Sequence, residues 1–119
     1  MIPSFLLAKL YVKGSLKNND SGFEFELKNI IDSTMLIGIG PISAAGKDYE
    51  GSAIHMTVGE KTISGAELSR SNSVPVRMGV PMKVSVTGDP LAPGQQKVTV
   101  AATTSDIGKI KFDINDTVQ

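Results

Sequence analysis

Apolar and polar side chains alternate along most of the chain, with a period of two residues. In the clearest run, Phe23, Phe25 and Leu27 alternate with Glu24 and Glu26. Successive side chains of a β-strand point to opposite faces, so this period predicts strands that bury one face. Other runs with the same alternation cover residues 10–16, 35–39, 54–58, 74–78, 82–86, 98–102 and 110–114.

Turn-forming residues separate these runs, as in Asn18–Gly22, Gly59–Lys61 and Asp89–Gly94. About eight to nine short strands at this spacing are typical of antiparallel sandwiches and barrels. No long amphipathic helix alternates with the strands, which argues against a parallel sheet with helical crossovers. We therefore predict an all-β fold, an antiparallel β-sandwich of Ig-like or jelly-roll-like type, with residues 1–119 forming a single domain.

Local signals refine this prediction. Ser64 and Glu67 have the spacing of a capping box, which predicts at most one short helix near 65–70. Pro75 cannot donate a backbone hydrogen bond, so the strand around it should lie at an edge. Residues 10–16 and 23–28 read as a hairpin, and residues 115–119 are expected to fray.

Composition excludes several classes of function. Twelve basic and twelve acidic residues give a formal net charge of zero, which disfavours a nucleic-acid binder. The chain has no cysteine and a single histidine, so we expect no disulfide, no cofactor and no metal centre. Absence of cysteine also fits a cytoplasmic protein.

The apolar start, residues 2–12, is expected to be a buried first strand or helix. No positive charge precedes it, Lys9 interrupts it, and no small-residue cleavage site follows, so it does not fit a secretory signal. It is about half the length that a membrane-spanning helix requires, so we expect no membrane contact.

A few side chains could carry chemistry. Glu24 and Glu26 share one strand face, about 6.6–6.8 Å apart along the strand, a spacing that could serve acid–base work or be a solvated face. His55 points away from the face of its apolar neighbours and could be a general base, a lone ligand or a surface histidine. Asp48 and Glu50, after the Gly46 turn, could bind a hard cation through oxygen or keep the loop soluble.

Three segments are candidates for contact with a partner. The polar loop 64–73 contains Arg70, and Arg77 follows it closely; arginine favours interfaces and planar anions. Segment 1–7 is apolar and includes Phe5 and Leu6, and segment 78–82 includes Met78 and Met82. Exposed apolar segments mark interfaces, and core packing is the alternative for both.

Several stretches occur in the order found in the small β-subunit-like domain of C-glycoside deglycosidases. They are Leu16–Asn18, Gly22–Leu27, the Gly46 turn, Leu91–Gly94 with Val98–Val100, and Gly108. The chain also resembles small archaeal proteins of unassigned activity. The first resemblance implies a β-sandwich subunit that packs on a larger barrel-type subunit, which holds the metal and the main catalytic groups. Residues 30–34 depart from the Tyr-Arg-Gly-type stretch of that family, so no contact residue is carried over.

Together these observations predict a non-catalytic accessory or assembly subunit, or a homo-oligomer, with no catalytic residues of its own. Its partner would be a second copy or a larger enzyme subunit. The alternative is a small enzyme or ligand-binding module whose site lies between protomers. That site would use Glu24 with Glu26, or His55 with Asp48.

Overall fold

The computed structural model describes residues 3–119, and these form ten strands in two antiparallel sheets. The predicted all-β sandwich is therefore confirmed. The strands are β1 (Lys17–Asn18), β2 (Gly22–Lys28), β3 (Thr34–Ala44), β4 (Lys47–Tyr49), β5 (Ile54–Val58), β6 (Lys61–Ser64), β7 (Val74–Val76), β8 (Pro81–Thr87), β9 (Gly94–Thr104) and β10 (Gly108–Val118). One sheet has the order β1-β2-β8-β5-β6. The other has the order β10-β9-β3-β4, and β7 pairs with the opposite end of β3 from β4.

The core lies between the sheets and is mainly aliphatic. The alternation seen in the sequence places Phe23 and Phe25 of β2 against it, both fully buried. Full burial of each large apolar side chain stabilises the fold by about 1.5–3 kcal/mol. The other fully buried large side chains are Leu16, Ile42, Ile54, Met56, Val84, Val86, Val98, Val100 and Ile114.

The N-terminal segment is helical and irregular, which corrects the predicted strand over residues 10–16. Helix α1 (Ser4–Leu7) continues into a 3-10 turn over Ala8–Leu10, and Tyr11 forms only an isolated bridge to Leu27. Leu7, Leu10 and Leu16 are nevertheless buried, because the segment packs against β10 and β2. Residues 1 and 2 of the apolar start lie outside the described residues. Within 3–119, no helix is long and apolar enough to cross a bilayer.

Hydrogen bonds to one carboxylate join this segment to the last strand. The Tyr11 hydroxyl donates to Asp116 Oδ2 at 2.6 Å, and the Gly14 N–H donates to the same oxygen at 2.8 Å. Burial raises the pKa of Tyr11, and the bond to Asp116 raises it further. The Tyr11 hydroxyl, followed by the Gly14 N–H, lowers the pKa of Asp116.

Two strands are longer than the alternation along the sequence predicts. β3 continues through Gly40–Pro41, because its pairing with β9 shifts register between Ile39 and Ile42. β10 extends to Val118, which pairs with Gly94, so the expected fraying of residues 115–119 is wrong for 115–118. β10 pairs with the eleven-residue strand β9 along its whole length, so the backbone N–H and C=O groups near its end have hydrogen-bond partners and the end stays ordered.

The predicted short helix is a 3-10 turn over Gly65–Glu67 that does not reach residue 70. The capping box is present: the Ser64 N–H donates to Glu67 Oε1 at 3.0 Å. The prediction for Pro75 also fits, since β7 pairs with β3 alone.

Candidate functional site

Three loops meet at one end of the sandwich and form a surface that we call the apolar end. It consists of the β2–β3 loop (29–33), the β7–β8 loop (77–80) and the β9–β10 turn (105–107). The Met78 N–H donates to Ser33 Oγ at 3.0 Å, and the Ser105 N–H donates to the Met35 carbonyl at 2.9 Å. These bonds hold the three loops side by side.

Asn29 is the centre of this arrangement and is buried. Its Nδ2 donates to the Asp32 carbonyl at 2.6 Å and the Val76 carbonyl at 3.0 Å, while its Oδ1 accepts the Ile31 N–H at 3.1 Å. The Gly79 N–H donates to the Asn29 carbonyl at 2.7 Å. Asn29 therefore fixes the shape of its own loop and joins it to β7 through its side chain, and it ties the neighbouring loop through its backbone carbonyl.

Large apolar side chains remain exposed here. Ile30 is 48% exposed and Met78 is 53% exposed, although each follows a residue tied into the loop framework. Next to them lies an open cleft, which enters between the sheets and is walled almost entirely by apolar atoms. Its apolar lining residues are Leu10, Leu27, Ile31, Leu36, Val76, Met82 and Ile107.

The buried polar groups that line this cleft already have partners within the chain. Asn29 is bonded as described, and Thr104 Oγ1 donates to the Gly108 carbonyl at 3.2 Å and accepts the Ile107 N–H at 3.1 Å. Among residues 3–119, no buried side-chain nitrogen or oxygen lacks a hydrogen-bond partner. The cleft thus suits a hydrocarbon group better than a polar ligand.

The predicted contact residues are distributed over several places. Arg77 and Met78 lie at the apolar end and are exposed, but Met82 is only 5% exposed. The expectation of a surface contact at Met82 is corrected, because Met82 alternates inward with Val84 on β8. Arg70 is exposed in the turn that joins β6 to β7.

Phe5 and Leu6 form a separate exposed apolar site on α1. Phe5 is 68% exposed and Leu6 is 38% exposed, while the next residue, Leu7, is buried. Both side chains are therefore open to contact, and the predicted interface role of Phe5 and Leu6 stays a prediction.

The structure brings together most of the residues considered for catalysis. Glu24, Ser85 and His55 are successive partners across β2, β8 and β5, on the outer face of the sheet. Asn19 Nδ2 donates to Glu24 Oε1 and Ser85 Oγ, at 3.1 Å each. Lys17 Nζ lies 4.0 Å from Glu24 Oε2.

This row is open rather than enclosed. Glu24 and Glu26 line a shallow cleft together with Lys17, and His55 is not part of its lining. His55 instead lies near Glu67, whose pKa is lowered mainly by the Ser64 N–H and to a smaller extent by the His55 charge. A flat polar row of this kind can hold a hydrogen-bonding partner but gives no shelter from water.

Asp48 is not brought to His55. It lies on β4 in the other sheet, where its Oδ1 accepts a hydrogen bond from Ser43 Oγ at 2.6 Å. The predicted pair of His55 and Asp48 is therefore absent. The two residues are close in sequence, but they lie on strands of different sheets. Within residues 3–119, no three histidine or carboxylate side chains form a group that could bind a metal.

Asn29 and Ile30 are not among the residues predicted from the sequence. Their signal was two adjacent isoleucines inside the polar stretch Asn29–Ser33, where a simple turn would carry none. The role of Asn29 depends on the Val76 carbonyl, 47 residues away, so sequence spacing alone does not indicate it.

A family model described as "Hydroxymethylglutaryl-CoA reductase, N-terminal domain" matches residues 6–119. This match overturns the resemblance to C-glycoside deglycosidases and to small archaeal proteins. The residues that carried the resemblance, such as Gly22–Leu27 and Leu91–Gly94, are in a core strand and a turn that many sandwiches share. Comparison with curated proteins gives no match. The chain belongs to the family of hydroxymethylglutaryl-CoA reductase N-terminal domains.

Proposed function

We propose that this chain is a non-catalytic assembly domain of a hydroxymethylglutaryl-CoA reductase, and that it makes its contact through the apolar end. The observation that carries the proposal is that Ile30 and Met78 are exposed beside an apolar cleft. Both lie on loops that the hydrogen bonds of Asn29 hold in place. The family match supports the choice of enzyme.

The physical argument is that water-exposed apolar surface is costly unless something covers it. An apolar area of this kind on a soluble domain marks a site of association. Because the loops are already ordered by internal hydrogen bonds, little conformational entropy is lost when a partner binds. Most of the free energy gained when a partner covers Ile30 and Met78 would therefore contribute to binding affinity.

The arrangement of the carboxylates supports a role other than catalysis. Glu24 is engaged by Asn19 and Lys17, and Asp48 is engaged by Ser43. General acid–base catalysis needs a group within reach of a bound substrate and shielded from competing water. The outer-face row containing His55 offers neither in the geometry described above.

We further propose that residues 1–119 fold as one domain and that the protein is cytoplasmic. Both sheets contribute to one continuous core, which supports the first statement. The absence of cysteine supports the second.

The test is binding to the catalytic domain of a hydroxymethylglutaryl-CoA reductase encoded in the same genome. The two chains are co-produced, and their association is measured by sedimentation. We expect the double variant Ile30→Glu/Met78→Glu to weaken association by at least about tenfold, which is 1.4 kcal/mol. Ala92→Glu adds a charge to an exposed turn between β8 and β9 and is the control.

Equal binding of the wild type and the double variant would refute a role for the apolar end. Binding that is lost in Phe5→Glu/Leu6→Glu instead would place the contact on α1. Circular dichroism of each variant checks that the fold is intact.

A further inference from the structure

Met78 is the most exposed methionine among residues 3–119. Its side chain is 53% exposed, whereas Met35 is half-buried, Met56 is fully buried and Met82 is 5% exposed. The chain contains no cysteine, so methionine carries all of its sulfur chemistry. Because the susceptibility of a sulfur side chain to oxidation follows its exposure, a peroxide should react with Met78 before it reacts with the buried methionines.

The backbone around Met78 is held without help from its side chain. Met78 is the second residue of a turn in which the Val80 N–H donates to the Arg77 carbonyl at 3.1 Å. The N–H groups of Met78 and Gly79 donate to the β2–β3 loop, at 3.0 Å and 2.7 Å. All three bonds use backbone N–H groups of the turn. A change confined to the Met78 side chain therefore alters the surface and leaves the turn in place.

Hydrogen peroxide converts the thioether of methionine into a sulfoxide. One oxygen atom is transferred to Sδ as the O–O bond breaks, and the sulfur loses two electrons. The second oxygen leaves as hydroxide, which the proton of the transferred oxygen converts into water. The sulfoxide is polar, but the neighbours of Met78 are exposed Ile30 and an apolar cleft. A partner that covers this surface would remove water from the sulfoxide oxygen, and burial of a polar group without a hydrogen bond opposes binding.

We infer that Met78 is a modification site through which peroxide regulates the apolar end. The thioether form is competent to bind, and the sulfoxide form is not. The inference rests on the proposed function, because the contact that it regulates is the one with the reductase catalytic domain. Cellular reductases return methionine sulfoxide to methionine, so the modification is reversible.

The first test treats the isolated full chain with hydrogen peroxide, which is then removed with catalase. Peptide mass spectrometry follows each methionine separately. We expect Met78 to convert to the sulfoxide at least about tenfold faster than Met56 and Met82, because oxidation follows exposure. Comparable rates at these three positions would overturn the inference.

The second test mixes the oxidised chain with the reductase catalytic domain and measures association by sedimentation. We expect full conversion of Met78 to weaken association by at least about tenfold, with an unchanged circular dichroism spectrum. Met78→Leu cannot be oxidised at this position, so its affinity should be the same before and after peroxide treatment. Met35→Leu removes the next most exposed of the described methionines and is the matched control. It should lose affinity on treatment as the wild type does.

The outcomes separate the inference from the proposed function. An oxidised wild type that binds as tightly as the untreated chain would overturn the inference and leave the proposed function standing. A loss of affinity that Met78→Leu shares would also overturn it, because the effect would then come from another residue. If the untreated chain does not bind the catalytic domain, the proposed function fails and the inference fails with it.

Discussion

Gly22 is held where no side chain fits, and we expect Gly22→Ala to destabilise the fold by about 2–4 kcal/mol. A Cβ atom at this position would lie 2.2 Å from the Val86 carbonyl oxygen and 2.8 Å from the Gly88 nitrogen. Close carbon–oxygen contacts normally begin at about 3.3 Å, so the backbone must move by roughly 1 Å. Overpacking of this kind costs about 1–3 kcal/mol.

The movement would also strain local hydrogen bonds. The Gly22 N–H donates to Asn19 Oδ1 at 2.8 Å, and the Gly88 N–H donates to the Ser21 carbonyl at 3.0 Å. Loss of one such bond adds about 1 kcal/mol, which brings the total to the stated range. For a chain of this size the melting temperature should fall by roughly 8–15 °C.

Urea unfolding followed by circular dichroism measures the effect, and Gly38→Ala is the matched control. Gly38 also lies in a strand, but its added Cβ would meet Thr103 at an ordinary distance of 3.6 Å. Replacing glycine there restricts the unfolded chain, so we expect no loss of stability. If the two variants unfold at the same urea concentration, the steric argument at Gly22 is refuted.

Three further predictions concern the N-terminal segment and the apolar end. Tyr11→Phe removes the hydroxyl that binds Asp116 and should lower the free energy of unfolding by about 1 kcal/mol in urea titration; an unchanged midpoint would contradict this. Because the folded pKa of Asp116 is lowered, its stabilising effect is complete above the unfolded pKa near 3.8 and is lost as the pH falls through the folded pKa. The stability gap between the wild type and Asp116→Asn should therefore shrink on acidification below pH 3.8, and a constant gap would contradict the assignment. Asn29→Leu leaves buried backbone groups unpaired and should destabilise by about 1–3 kcal/mol, whereas Asn18→Leu, at an exposed position, should cost less in the same titration.

The sequence was sufficient for elements whose burial pattern is local. In β2 the alternation of Phe23 and Phe25 with Glu24 is enough to assign both strand and face, and the buried pair confirms it. The prediction of a strand over residues 10–16 is wrong because Leu10 and Leu16 are buried for a reason other than strand alternation. They cover the side of the sandwich between β2 and β10, held partly by a bond from Tyr11 to a residue 105 positions away.

The candidate site was predictable only in part, for a related reason. Met78 could be proposed from its apolar surroundings in the sequence, and its exposure agrees with that. Met82 was assigned to the same surface although its alternation with Val84 already indicated burial. Asn29 could not be identified, because its importance comes from the carbonyl of Val76, which the fold brings to it.

A comparison of two chain reversals indicates that the β2–β3 loop does not need an apolar side chain at Ile30 in order to reverse. The β1–β2 turn also begins with an asparagine whose side chain accepts backbone N–H bonds, since Asn19 Oδ1 binds Ser21 and Gly22. That turn contains Asp20 and Ser21, and neither is apolar. The β2–β3 loop has the same kind of Asn29 cap, yet it presents Ile30 to solvent. Because the asparagine cap reverses the chain without help from the next side chain, the exposure of Ile30 needs another cause, and contact with a partner supplies one.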